Sequence, residues 1–315
     1  MTTAAEQLVT RLNLPFCTGL SDCKTVKEAI QKAGLDYEIS LHPVITDTVL
    51  PTNYMATVRE DKQKVLGIVG KKYNVLQNRD AFNFFEEFVS NDLVSLETAG
   101  QLYDGKKIFV LAKINDEDME ITPGDRVEKY ILLSNSNDGT SSVRVGFVPI
   151  RVVCCNMLQF VHSHEASKLI KVNHKRVVAD TLTEIRATMD LVNKQFIATE
   201  EQYKKLAQNT NICKKDIEKY VKQVFNEKSL NQIIFDYENQ IEEKEQIEET
   251  RKRLIARVEE IFDLEPVHSA WTLYNSVNYY INHERSKSVD MRYNSLFFED
   301  GKKFNEKAFE LAKRL

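Results

Sequence analysis

The sequence predicts an α+β fold: an antiparallel sheet of hairpins with a packed helix, followed by a mostly helical C-terminal half with a long amphipathic helix. Three observations lead there. Strand-like alternation bounded by turn residues recurs through the first half of the chain. One aromatic-rich stretch of helical period, "NRDAFNFFEEFVSN", interrupts those strands. After His174 the apolar residues keep to helical spacing. These changes divide the chain into a mixed segment at 1–52, an antiparallel core at 53–173 and a helical region at 174–315.

Each element has its own warrant. "TVKEAIQKAGLDYEI" puts Val26, Ala29, Ile30 and Ala33 on one face of a short helix. Thr25 and Glu28 suit a capping box, and Gly34 suits the stop. "NYMATVRE" and "KVLGIVGKKYNVLQ" read as strands joined by a polar "EDKQK" turn. Asn78 is the expected N-cap of the aromatic helix, Asp80 suits its first turn, and Ala81, Phe84, Phe85 and Phe88 form its buried face. "LVSLETAGQLYDGKKIFVLAKIND" is a hairpin with a two-residue turn at Asp104-Gly105. "EKYILLSNSNDGTSSVRVGFVPIRVVCC" is another, with Asp138-Gly139 near its tip.

In the second half, Val178, Leu182, Ile185, Met189, Val192 and Phe196 recur in steps of four and three. Tyr203 and Leu206 resume the stripe. It reads either as a long helix packed on its own sheet or as an oligomer seam through Leu182, Ile185, Met189 and Val192. "KKDIEKYVKQVF" is amphipathic, and "NQIEEKEQIEETRKRLIARVEEIF" pairs acids with bases at helical spacing. Pro266 breaks the pattern before two further helices, "SAWTLYNSVNYYINHER" and "FNEKAFELAKRL".

With 42% hydrophobic and 29% charged residues, 10 Gly and 6 Pro, the composition is that of a globular chain. The formal charge of −4 argues against coating nucleic acid by bulk charge, though not against a local basic groove. The N-terminus is too polar for a signal peptide, and no apolar run reaches the ~18 residues of a membrane span, so no membrane is expected. Five cysteines, Cys17, Cys23, Cys154, Cys155 and Cys213, read as free thiols in a reducing cytosol.

The main local asymmetry is basic. Arg144, Arg151, Lys168, Lys171, Lys175 and Arg176 share their window with one acid, Glu165. Such a focus suits phosphate contacts, and Phe147, Phe160 and Tyr130 nearby could stack bases of a single strand. The same bases could equally balance the acidic helices of the second half. Ser134, Asn135, Ser136, Asn137 and Asp138 form a polar tract longer than a turn needs, which points to a recognition loop. On alternation, Val143, Val145 and Phe147 face a core, while Arg144 faces outward with Ser142 and Gly146.

Other chemistry finds less support. Cys154, Cys155, His162, His164 and His174 crowd together without Cys-x-x-Cys spacing, so no metal is expected. Glu97, Asp104, Asp116, Glu117, Asp118 and Asp125 read as turn acids without the spacing of a nuclease. No phosphate-binding loop or hydrolase motif occurs, and neither a catalytic set nor a cofactor is expected.

"GKKYNVLQNRDAFNFFEEFV", "LETAGQLYDGKKIFVLAKI", "YILLSNSNDGTSSVRVGFVPIRVVCCN" and "WTLYNSVNYYINHERS" occur in that order. Together, from about Asn53 to Leu315, they resemble a domain-of-unknown-function family called "phage/plasmid-like protein", found in bacteriophages, plasmids and prophages. The resemblance implies a mobile-element protein acting in the cytoplasm of a bacterial host. It supplies no catalytic residues. The strand and helix order also loosely resembles ring-forming single-strand annealing proteins, a likeness of fold alone. The leading expectation is therefore an oligomeric, single-stranded-DNA-binding accessory protein. The alternative is a non-enzymatic module that binds a host protein.

Overall fold

Short antiparallel strands carry the first half of the chain, and helices carry the second. The computed structural model describes residues 17–45, 47, 51–141, 143–154, 156–158, 161–162, 181–226, 230, 244–285, 288–298 and 300–315. The α+β class is the one observed. The chain forms two compact units. The first draws on residues 1–117, 129–148 and 161–192, and the second on 118–128, 149–160 and 193–315.

In the first unit, β1 (Cys17–Gly19), β5 (Val94–Leu102) and β6 (Lys107–Ile114) lie side by side, each antiparallel to the next. They continue through residues 129–136 of β8 (Asp125–Ser136) and 144–148 of β9 (Arg144–Arg151). β11 (Val161–His162) pairs with β9. A separate three-stranded sheet contains β2 (Ile39–Ile45), β3 (Pro51–Arg59) and β4 (Lys64–Gly70). Helix α1 (Val26–Lys32) is capped by Thr25, whose side chain accepts from the Glu28 amide, but the reciprocal half of the capping box is shifted, since the Glu28 carboxylate accepts from the Lys24 amide; Gly34 is left-handed at φ +65°.

Three local readings change. The β4 pattern was expected to run to Gln77, but the strand ends at Gly70. The Gln77 side chain instead bonds both backbone groups of Ile39 and imitates a strand partner. The aromatic helix is broken into α2 (Asn78–Phe82), a 3-10 turn at Asn83–Phe85 and α3 (Glu86–Ser90). Gln77 takes the N-cap position, because the fully buried Asn78 side chain is turned to donate to the Leu35 carbonyl. The loop between β5 and β6 has four residues, not two. Tyr103, Asp104 and Gly105 are left-handed in succession, at φ +52°, +56° and +100°.

In the second unit, β7 (Met119–Thr122) pairs with the start of β8, and β10 (Asn156–Met157) with the end of β9. The helices are α4 (Thr181–Gln208, in this unit from 193), α5 (Lys214–Val224), α6 (Lys244–Asp263), α7 (Ala270–Tyr279), α8 (Val289–Phe298) and α9 (Asp300–Ala312). A π-helical turn, Tyr280–Glu284, continues α7. Tyr203 packs its ring 4.7 Å from Trp271 and 5.3 Å from Phe309, so the aromatic residues form this unit's core.

Candidate functional site

The polar tract expected as a displayed loop is interior. Ser134, Asn135, Ser136 and Asn137 are all buried, the first three on β8 opposite Phe109, Ile108 and Lys107. Their side chains serve the fold. Asn137 Nδ2 donates to Asn78 Oδ1 (3.1 Å) and to the Gly105 carbonyl (2.9 Å), while its Oδ1 accepts from Asn135 (3.0 Å). Tyr37 also donates to the Gly105 carbonyl. The asparagines thus tie the start of α2 to the left-handed β5–β6 loop. Asp138 accepts from Ser136 and from Thr140 around Gly139 (φ +76°). Burial pushes the Asp138 carboxyl up, but these bonds outweigh it and hold it below the usual carboxylate range.

The β8–β9 tip seats against β4. A Cβ on Gly67 would lie 2.4 Å from the Asp138 carbonyl oxygen, and one on Gly139 would lie 2.6 Å from Val69 Cγ1. Both glycines are space requirements of this contact.

The cations separate into different environments. Arg151 is 3% exposed and lies between two carboxylates of its own unit. It donates to Asp125 (2.8 and 2.9 Å) and to Glu265 (2.6 and 3.0 Å), and Trp271 Nε1 also donates to Asp125 (2.8 Å). Burial alone would lower the Arg151 pKa, yet Glu265 and Asp125 outweigh it and raise it. Arg151 is therefore an internal ion-pair member and not a displayed phosphate contact, because both ends of its guanidinium fork are occupied. Arg144 is half-buried at the start of β9, but Gly146 two residues along is buried, so no open small-residue face surrounds it. Val143, Val145 and Phe147 are core as expected. Lys168, Lys171, Lys175 and Arg176 lie outside the described residues.

Sequence reasoning missed an exposed apolar sheet face. Pairing of Ala56 with Ile68 and of Val58 with Val65 puts these residues, with Tyr54, on one side of β3 and β4. Tyr54, Val65 and Ile68 are each more than half exposed, whereas Ala56 and Val58 between them are buried. The other side of the same sheet meets Asp138 and Gly139. Beside the exposed face, the Glu60 carboxylate accepts from Ser40, His42 and Gln63, which lower its pKa to about 2. His42 Nε2 lies 2.9 Å from Ser40 Oγ and 3.0 Å from Glu60, so one ring nitrogen serves both. A relay would need the two opposite ring nitrogens. The signal available in the sequence was the run "KVLGIVG", whose bulge at Leu66 brings Val65 and Ile68 to the same face.

The family model for DUF932, described as a domain of unknown function, matches residues 65–297. The chain belongs to this family. No curated protein and no solved structure matches it. The DUF932 region begins at β4, so β1 to β3 precede it, and α9 follows it.

Within the DUF932 region the remaining candidates fall into structural places. Glu97 is not a turn acid: it is a buried bulge residue inside β5, between Leu96 and Thr98. Asp125 belongs to the Arg151 pair, and Asp104 accepts from Lys62 and Lys64. Among the described residues, no three His, Cys, Asp or Glu side chains group as a metal site. Cys154 is half-buried, while Cys155, His164 and His174 lie outside the described residues. Val192 is fully buried within the chain, and the stripe continues inward at Phe196, Tyr203 and Leu206. Leu182, Ile185 and Met189 lie on α4, with side chains outside the described set. No helix among the described residues is long and apolar enough to cross a membrane.

Proposed function

We propose that this DUF932 protein is a phage- or plasmid-encoded accessory protein of DNA metabolism that binds single-stranded DNA in the bacterial cytoplasm, without a cofactor. The observation that supports it is the charge of one segment. Between Glu165 and Asp180 stand Lys168, Lys171, Lys175 and Arg176 and no acid. Arg144 lies two residues along β9 from the position that pairs with His162, just upstream of that segment. Lys168, Lys171, Lys175 and Arg176 are then the four cations assigned to phosphates, since Arg151 is committed internally. Each neutralised phosphate of a single strand contributes about −0.7 to the slope of log affinity against log salt, so the expected slope is about −2.8.

Fluorescence anisotropy with a labelled single-stranded oligonucleotide across a salt series tests this reading. Replacing Lys168, Lys171, Lys175 and Arg176 together by Ala should flatten the slope to near zero. Undetectable binding at low salt, or a slope unmoved by those replacements, overturns it. The proposal includes self-association through Leu182, Ile185 and Met189. Leu182→Asp should give a smaller soluble species in light scattering, and aggregation would assign the stripe to the core of one chain.

The exposed side of β3 and β4 favours a second reading, a non-enzymatic module that binds a host protein through Tyr54, Val65 and Ile68. Nuclease-treated affinity purification separates the two. A stoichiometric host protein retained after nuclease and lost in Tyr54→Asp with Ile68→Asp supports the module.

A further inference from the structure

The core of the second unit carries an array of buried asparagines. Asn275, Asn278 and Asn282 stand at helical spacing on α7 and the π turn after it, hence along one face. Asn305 on α9 and Asn156 on β10 adjoin them. All five are at most 3% exposed. Their amide nitrogens are satisfied by backbone oxygens. Asn275 donates to Trp271, Asn278 to Tyr274, and Asn156 to Asn275, each at 2.9 Å. Asn282 and Asn305 both donate to the Met157 carbonyl, at 3.2 and 3.1 Å, which brings those two amides together.

The amide oxygens divide differently. Asn156 Oδ1 lies 3.1 Å from His283 Nε2. No donor among the described residues reaches Asn275 Oδ1, Asn278 Oδ1 or Asn305 Oδ1. Exchanging oxygen and nitrogen in any of the three amides would set an oxygen against a backbone carbonyl, so the orientation is fixed by its partners. Three neutral acceptors are thus buried, those of Asn275 and Asn278 one turn apart on α7 and that of Asn305 on α9, and buried amide oxygens in folded proteins have donors.

We infer that the asparagine face of α7, with Asn305 opposite, is a binding site for ordered water that donates to these three oxygens. The chemistry selects the guest. The three acceptors carry no formal charge, which disfavours Mg²⁺ or Ca²⁺, ions that are held by carboxylates. Water supplies two donors per molecule and commonly makes about three bonds to such groups.

The test is a high-resolution crystal structure of the full chain, grown with and without Rb⁺ replacing Na⁺. The expected result is a density peak within about 3.2 Å of at least two of the three oxygens, without anomalous signal from Rb⁺. An anomalous peak there would overturn water in favour of a monovalent cation. Amides turned onto protein donors, with no peak, would overturn the site itself. In solution, oxygen-17 relaxation dispersion should detect at least one long-lived internal water in the wild-type chain that is lost in Asn278→Leu. Absence of any long-lived water in the wild-type chain contradicts the inference even if the variant does not fold.

Discussion

Removing the Arg151 side chain separates an internal role from a phosphate-binding one. In Arg151→Met the Asp125 and Glu265 carboxylates keep their places but lose five hydrogen bonds and the intervening positive charge. Taking one partner from a buried ion pair costs about 3–5 kcal/mol, and two carboxylates left facing each other place this site in the upper part of that range. For a folded unit of this size, each kcal/mol shifts Tm by about 2–4 °C, so the melting point should fall by about 8–20 °C. Trp271 Nε1 still donates to Asp125, which leaves Glu265 the worse-placed carboxylate. Arg151→Met with Glu265→Gln should therefore recover about 1–2 kcal/mol of the loss, measured by urea denaturation as a double-mutant cycle. Oligonucleotide affinity, measured below the variant's melting point, should stay at the wild-type value. A variant with wild-type Tm and weakened DNA binding would refute the reasoning.

The other predictions concern the first unit. Asn137→Leu removes the donor to Asn78 and the acceptor of Asn135 and should cost about 2–4 kcal/mol in urea denaturation, because a buried acceptor and a buried donor each lose a partner while Tyr37 still serves Gly105. If the tract were a recognition surface, the same change would instead weaken ligand binding at unchanged stability. Gly67→Ala sets a Cβ against the Asp138 backbone, which has no flexible end to yield, and should destabilise by about 1–3 kcal/mol. Gly70→Ala, with open space around its Cβ position, serves as the control. Lys62 and Lys64 bonds bring the Asp104 pKa down to about 2. A depressed carboxylate pKa contributes stability that is present above the ordinary value near 4 and is lost as pH falls toward 2. The acid-unfolding midpoint should rise in Lys62→Ala with Lys64→Ala, and an unchanged midpoint would show that the pair adds nothing.

Local pattern was enough for the elements whose neighbours along the chain decide them. Thr25 caps α1 through the Glu28 amide three residues away, and Gly34 ends it. The alternation around Asp104-Gly105 identified β5 and β6, and the helical stripe from Val192 to Leu206 identified α4. Outcomes that depend on residues far apart were not legible. Ser and Asn flanking a turn look alike whether they face solvent or a buried ladder. Their role is set by Asn78 and Gly105, which lie 59 and 32 residues from Asn137. Arg151 reads as a surface cation until Glu265, 114 residues away, takes one end of its fork.

The sequence by itself therefore determined the α+β class, the alternating core positions at Val143, Val145 and Phe147, and the basic character of residues 168–176. These rest on periodicity and charge, which are properties of the chain in order. Tertiary structure alone decided that the polar tract from Ser134 to Asn137 is interior and that Arg151 is neutralised. It also decided that Tyr54, Val65 and Ile68 on β3 and β4 are exposed. The reason is that burial and pairing are relations between distant segments, and a side chain carries no local mark of the partner that will occupy it.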